Sequence, residues 1–399
     1  DSGTSNGAIN VKGPTNALTA RINRTSSASG INGVEFRDAR WISLSNLVFG
    51  SAHTGVKVEE SRGLNLSVRA VGNAANGFTI MNSTNVSTLR SAAVFNGGYG
   101  IASFTNTSLV IDQAVVWSNV SGAIYSRAGA LTVSNSVLHA YGSGRYVYQI
   151  NSTSDLFRAD YNNILVRDGA EAALWGNRAL KFMANLRDAA AVDLRSLNHD
   201  PLFADASGGD FHLQSAAGRF SPGGIWVTDV VTSVMVDAGD PARSVAAESV
   251  PNGARLNIGR HGNSDEASRS PTNARLLALS YNDGGVARGT NALYWMAGGD
   301  ATGHTLTIQF SADNGSTWTN VATNISASVG GVPLWDTTLH GSTLFGLWRL
   351  ISEQDPAVTD ANDRIFTVNN GSLSYFVNDS STDQDIYTLA PGSSINDGL

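Results

Sequence analysis

A lysine or arginine on a β-rich surface can take the proton alpha to a uronate carboxylate when a second cation or a cluster of acidic residues holding Ca2+ neutralises that carboxylate. Lys57, Arg37, Arg40, Arg62 and Arg90 are the cations that could serve. Lys57 follows Glu35 by 22 residues, and a surface ion pair accounts for it as well as a base would. Asp38, Asp112, Asp155 and Asp160 are scattered and suggest no carboxylate pair of the glycoside-hydrolysing kind. The seven histidines include no pair at metal-ligand spacing: His199 and His212 read as loop residues, and His261 follows "NIGR" in a turn. Serine is abundant, but no nucleophile elbow accompanies it. Two acidic loops, "DAGD" with Asp237 and Asp240 and "DPAVTDANDR" with Asp355, Asp360 and Asp363, crowd oxygen ligands together in a way that suits a structural Ca2+, the one cofactor suggested. Turn formation accounts for the same aspartates.

Composition narrows the classes. The chain has 399 residues, 42 glycines, 9 prolines and only 15% charged residues, the profile of a turn-rich β protein. A net charge of -7 without a basic run argues against nucleic acid as partner. No cysteine is present, so disulfide and thiolate chemistry are excluded, and no apolar run approaches the ~20 residues of a membrane span. The start "DSGTSNGAIN" reads as a mature or excised end.

The elements that would carry these residues announce themselves by repetition. Gly33, Gly55, Gly77, Gly100 and Gly122 each open a short apolar strand ("GVEF", "GVKV", "GFTI", "GIAS", "GAIY"), at spacings of 22, 22, 23 and 22. Two further apolar runs recur in each period, so each reads as one coil of a solenoid built of three short strands. Alternation sends Val34, Phe36, Val56, Val58, Phe78 and Ile80 inward and Glu35, Lys57 and Thr79 outward. Phe49, Val71, Val94 and Val116, each six residues before a glycine, are expected to share one interior column. Arg69 falls among small apolar residues, which predicts a bulge or a partner.

The coils, together with "DLRSLNHDPLFADASGGDFHLQ" (193–214) and "DAGDPARSVAAESVPNGARLNIGRHGNSDEAS" (237–268), resemble the right-handed parallel β-helix proteins of the pectate-lyase-like superfamily, in the repeat-containing form of large secreted or cell-surface bacterial proteins. The resemblance implies an all-β fold and an extracellular location. It carries little about chemistry, because the Ca2+-binding aspartates of the lyases have Ser, Thr and Asn in their place on the coils.

The expected organisation is a right-handed parallel β-helix over 1–268 with a helical insertion near 179–195, whose Leu180, Met183 and Leu186 share a face. An Ig-like or fibronectin-like β-sandwich is expected over 274–376. Within it "SADNGSTW" (311–318) fits an Asp-box hairpin, with Asp313 and Gly315 as turn residues and Trp318 as a core plug. Residues 377–399 read as a linker or lead-in strand. Tyr375, Phe376, Val377, Ile386 and Tyr387 would form an assembly tail covering the open first coil of another copy.

Three functions follow. The first is a non-enzymatic extracellular module, repeated in tandem or head-to-tail with itself into a fibre, stalk or layer. The second is a polysaccharide lyase or hydrolase. The third is a carbohydrate-binding adhesin, marked by exposed aromatics stacked across coils, for which Tyr99, Trp117, Tyr125 and Tyr141 are candidates. Asn65, Asn82, Asn85, Asn106, Asn119 and Asn151 begin Asn-x-Ser/Thr triplets and read as turn and ladder residues.

Overall fold

Short β-branched runs separated by Asn, Ser and Gly cannot bury an apolar face alone, so they stack. The computed structural model, which describes residues 9–12, 20–23 and 31–371, shows a parallel β-solenoid of about six turns. One sheet joins the strands that follow the repeated glycines: Val34–Arg37, Val56–Glu59, Phe78–Met81, Tyr99–Phe104, Gly122–Ser126, Tyr146–Ile150 and Glu171–Trp175, all parallel. The other strands form a second sheet bent over two sides of the coil, Arg62–Val71 running through the bend. Strands Ile9–Lys12 and Ala20–Asn23 pair in parallel with Ile42–Gly50.

Asparagines at one corner explain the glycine period. Asn73, Asn96 and Asn119 are buried and stacked, Asn73 donating its side-chain N–H2 to Asn96 Oδ1 and Asn96 to Asn119 Oδ1, both at 2.8 Å. A Cβ on Gly55, Gly77 or Gly100 would come within 2.8 Å of the amide nitrogen of Asn73, Asn96 or Asn119 respectively. That is closer than a carbon and a nitrogen can approach, so a residue without a side chain must pass over each ladder amide. Gly122 lies beyond the ladder and is required by its φ of +127° instead.

Alternation placed the inward residues of the glycine-led sheet correctly: Val56, Val58, Phe78 and Ile80 are in the main core, with Val34 and Phe36 packed against it. The expected column of Phe49, Val71, Val94 and Val116 is not one column. Phe49 pairs with Ala70, Ala70 with Ala93 and Ala93 with Val116, and these four line the interior. Val71 and Val94 stack with Trp117 on the opposite side of the sheet. The corner between strand and glycine varies by one residue, and a one-residue slip reverses the facing of every side chain. Arg69 consequently lies on the outer face, where its guanidinium donates to the Gly209 carbonyl at 3.2 Å.

The expected helix is shorter than 179–195. Arg178–Leu180 is a strand folded back antiparallel on Glu171–Trp175, and the helix spans Met183–Ala190, ended by Ala191 in the left-handed region. Leu180, Met183 and Leu186 are buried in the solenoid core as the face pattern implied. The strand and helix therefore cover the last coil, which would otherwise leave an apolar end in water.

From Leu197 the chain returns along the outside. Phe203, Phe211, Leu213, Met235, Val236, Ala238 and Ile258 pack on Val94, Val115 and Val137 of the coils, forming a second core that also takes in Leu277, Leu279 and Met296. Residues 275–368 then build a three-stranded and a six-stranded sheet. Their shared core holds Trp295, Trp335 and Trp348, an arrangement compatible with a sandwich. Trp318 is not a core plug: it is partly exposed, with the Arg349 guanidinium 4.1 Å above its ring. The hairpin beside it forms as expected, Asp313 accepting from the Thr317 N–H and hydroxyl and Gly315 standing at φ +85°.

Candidate functional site

The outer face of the glycine-led sheet changes character along its length. Glu35, Lys57, Thr79, Ala102, Tyr125, Gln149 and Leu174 occupy successive outward positions in one register. At the early coils, Lys57 Nζ lies 3.1 Å from both Glu35 and Glu59, and Arg37 lies 3.5 Å and 2.6 Å from the same two carboxylates. The Glu35 carboxylate raises the Lys57 pKa above its ordinary value. A lysine acting as a base needs the opposite shift, so this closed network presents an ion pair and not a proton acceptor.

Two coils further on the face becomes aromatic. The Tyr99 and Tyr125 rings are stacked with centroids 5.2 Å apart and an angle of 28°, and Phe104 lies 5.4 Å from Tyr125. All three rings are half-buried. Their position is fixed from both sides: Tyr99 donates its hydroxyl to Gln149 Oε1 at 2.6 Å, and Asn151 donates to the Tyr125 hydroxyl at 3.1 Å. The result is an aromatic cluster spanning two coils, two tyrosine rings face to face and Phe104 tilted 52° to the second, with both hydroxyls fixed by polar side chains. Of the other aromatics considered, Trp117 stacks on His139 (4.2 Å), which stacks on Tyr141 (5.8 Å). That column is covered by Phe203, which meets Trp117 edge-on, and so belongs to packing.

The remaining sequence candidates are held apart. Among the cations, Arg62 lies over the Trp41 ring and Arg90 donates to the Asn263 carbonyl, while Arg40 is exposed. Asp112 is buried and accepts from Ser134, Asn135 and Arg243; Asp155 accepts from Gly129 N–H; Asp160 from Arg195 N–H; Asp38 is exposed. The acidic loops spend oxygens on protein donors. Asp237 accepts from Ser270 and Arg275, Asp240 from Ala242 N–H, Asp355 from Ala357 N–H and Asp360 from Ala278 N–H. Asp363 accepts from Asn282 and stands 3.6 Å from His199, at the edge of a polar cleft of about 440 Å³ lined also by Arg167, Lys181 and Arg364. His212 lies in strand Asp210–Leu213, not in a loop, and meets His261 and Glu266, a juxtaposition no local spacing could reveal. Tyr375, Phe376, Val377, Ile386 and Tyr387 lie outside the described residues.

The loop after Asp240 carries a buried acid that sequence reading passed over. Glu248 accepts from the Asn257 and Asn263 N–H groups, and burial pushes its carboxyl up to about 7 from an ordinary 4.5. Between those values the unfolded chain ionises while the folded chain retains its proton. This group's contribution to stability is therefore largest below about pH 4.5 and falls as pH rises toward 7. Glu248→Gln keeps the acceptor and removes the titration. The stability of the wild type relative to this variant is expected to fall by about 3 kcal/mol across that window, measured by denaturant unfolding at about pH 4 and pH 8; parallel pH profiles would refute the assignment.

A family model described as "Disaggregatase related" matches residues 182–239, the stretch from the capping helix through the first part of the outer layer. That family is a pectate-lyase-like β-helix family, in agreement with the parallel solenoid observed. No curated protein matches the chain.

Proposed function

We propose that this chain is a non-catalytic, extracellular β-helix module that holds polysaccharide along the outer face of its glycine-led sheet. The observation carrying the reading is the Tyr99–Tyr125 stack with Phe104 beside it. A pyranose ring offers a flat C–H face that packs on an aromatic face, while its equatorial hydroxyls need donors and acceptors at the rim, here Gln149 and Asn151. Successive coils repeat at the ~4.8 Å strand spacing. One sugar residue therefore covers roughly one coil, and a chain crossing the cluster meets both of its coils.

The closed Glu35–Lys57 network and the dispersed aspartates support binding without cleavage. A stiff solenoid free of cysteine suits a building block of a surface fibre, stalk or layer, made of tandem copies or of copies joined end to end. The immunoglobulin-like reading of the two later sheets belongs to the same proposal: a spacer between rods.

Affinity electrophoresis and calorimetry against soluble neutral and uronate polysaccharides test it. Binding is expected, with Tyr125→Ala weakening it about tenfold, the loss of roughly 1.4 kcal/mol of stacking, while Trp318→Ala leaves it unchanged. Equal affinity in Tyr125→Ala and wild type, or no binding by the folded protein to any of the polysaccharides, would overturn the proposal. Release of unsaturated or reducing ends would overturn its non-catalytic part.

A further inference from the structure

We infer that His212, His261 and Glu266 form a binding site for one divalent transition-metal ion of the zinc type, in the layer that covers the solenoid. One potential ligand atom of each residue lies within 4.8 Å of the others. The Glu266 Oε2 atom is 3.2 Å from His261 Nδ1 and 3.6 Å from His212 Nε2. Zinc bound at ~2.0–2.1 Å by nitrogen and oxygen in a tetrahedron separates neighbouring ligands by about 3.3 Å, and the two measured separations bracket that value.

The orientation of His212 is the second, independent observation. Its Nδ1 is held by Asp210 Oδ1 at 2.5 Å, which fixes the ring and turns Nε2 toward Glu266 and His261. That Nε2 makes no hydrogen bond, although the side chain is only 7% exposed. A carboxylate on the far nitrogen of a metal-binding histidine is the usual way such a ring is oriented and made more basic. Asp210 is itself anchored by Arg219 at 3.7 Å, and Arg219 by Asp229 at 3.1 Å.

Each histidine turns a nitrogen toward Glu266 Oε2; the rings stack with centroids 3.6 Å apart, and because imidazole lone pairs lie in the ring planes, one ion between those nitrogens requires the rings to part from the stack. Glu266 is one-third exposed, so the fourth position opens toward solvent on its side. Two imidazoles and one carboxylate select zinc-like ions over calcium or magnesium, which take oxygen ligands.

The test uses the full chain, stripped with chelator and titrated with Zn2+ by calorimetry and with Co2+ by visible absorption. One equivalent is expected to bind, with the absorption of a tetrahedral site and a rise in Tm. Glu266→Gln and His261→Phe, which keep volume and ring stacking, are expected to weaken binding at least 100-fold while remaining folded by circular dichroism. Asp210→Asn, which acts through His212, is expected to weaken it 10- to 100-fold. No binding by the wild type, or undiminished binding by the Glu266→Gln, His261→Phe double variant, would overturn the inference. So would a Tm indifferent to Zn2+, the behaviour of a cluster held by a proton shared between His212 and its carboxylates.

Discussion

Replacing Asn96 with leucine is expected to cost about 3–4 kcal/mol, although the two side chains have nearly the same shape. Asn96 Oδ1 accepts from both the backbone and the side-chain N–H groups of Asn73, at 3.0 and 2.8 Å. Its Nδ2 donates to the Ala70 carbonyl at 3.2 Å and to Asn119 Oδ1 at 2.8 Å. Leucine would leave two buried donors of Asn73 and the Ala70 carbonyl without partners, in a corner where no water replaces them. The overlying Gly77 forbids any outward relief, since even a Cβ there would meet the ladder at 2.8 Å. The measurement is the urea midpoint at constant slope, set against Asn65→Ala, an exposed strand position expected to change stability by less than about 0.5 kcal/mol. Equal midpoints for the two variants would show that the ladder follows the coil geometry without holding it.

The ladder also explains why so much of the solenoid was legible. A glycine at 55, 77 and 100 and an asparagine at 73, 96 and 119 express one steric constraint repeated at each coil, and a repeated constraint appears in sequence as a period. Lys57 and Glu35 could be paired from spacing for the same reason, because a neighbour across coils is one period away. The register of Val71 and Val94 is not legible from the glycines, because Gly77 and Gly100 follow their ladder asparagines by four residues and Gly122 by three; counted from the asparagines, Ala70, Ala93 and Val116 each stand three residues before and share one interior column.

The same reasoning separates the two candidate sites. Tyr99 and Tyr125 are candidates as aromatics on neighbouring coils, but they lie three residues apart in register, Tyr99 opposite Gly122 and Tyr125 opposite Ala102, so neither their stacking nor the part of Phe104, Gln149 and Asn151 follows from the period. His212 and His261 lie in the covering layer, outside any repeat, and are joined by a path through irregular turns. The stretch itself, "NIGRHGNSDEAS", contains both His261 and Glu266, but their shared partner is 49 residues earlier in the chain and no local spacing names it.

Arg187→Leu is expected to be the second most damaging substitution, at about 3–4 kcal/mol, and to act on the junction between the solenoid and the sheets that follow it. The partly buried guanidinium donates to three carbonyls in two segments: Asp193 at 2.9 Å and Ser196 at 3.0 Å in one, and Leu279 at 3.1 Å in the other. The first two lie where the chain leaves the capping helix, and the third opens the region of the two later sheets. Asp283 returns the contact by accepting from the Met183 N–H at 2.8 Å, capping the helix from across the same junction. Leucine can fill the space of the aliphatic stem but leaves the three carbonyls without their donor. The cap is therefore expected to loosen before the coils beneath it. Hydrogen exchange should show backbone protection falling in 183–197 and 279–283 while the ladder coils around Asn96 retain theirs. Asp188→Ala, an exposed change one residue along the same helix, should alter neither stability nor exchange appreciably. If Arg187→Leu lowered protection evenly from Val34 to Val368, the junction would be part of one cooperative unit and the cap would not be a separable element. If it matched Asp188→Ala, the three carbonyl bonds would contribute nothing net to holding the cap in place.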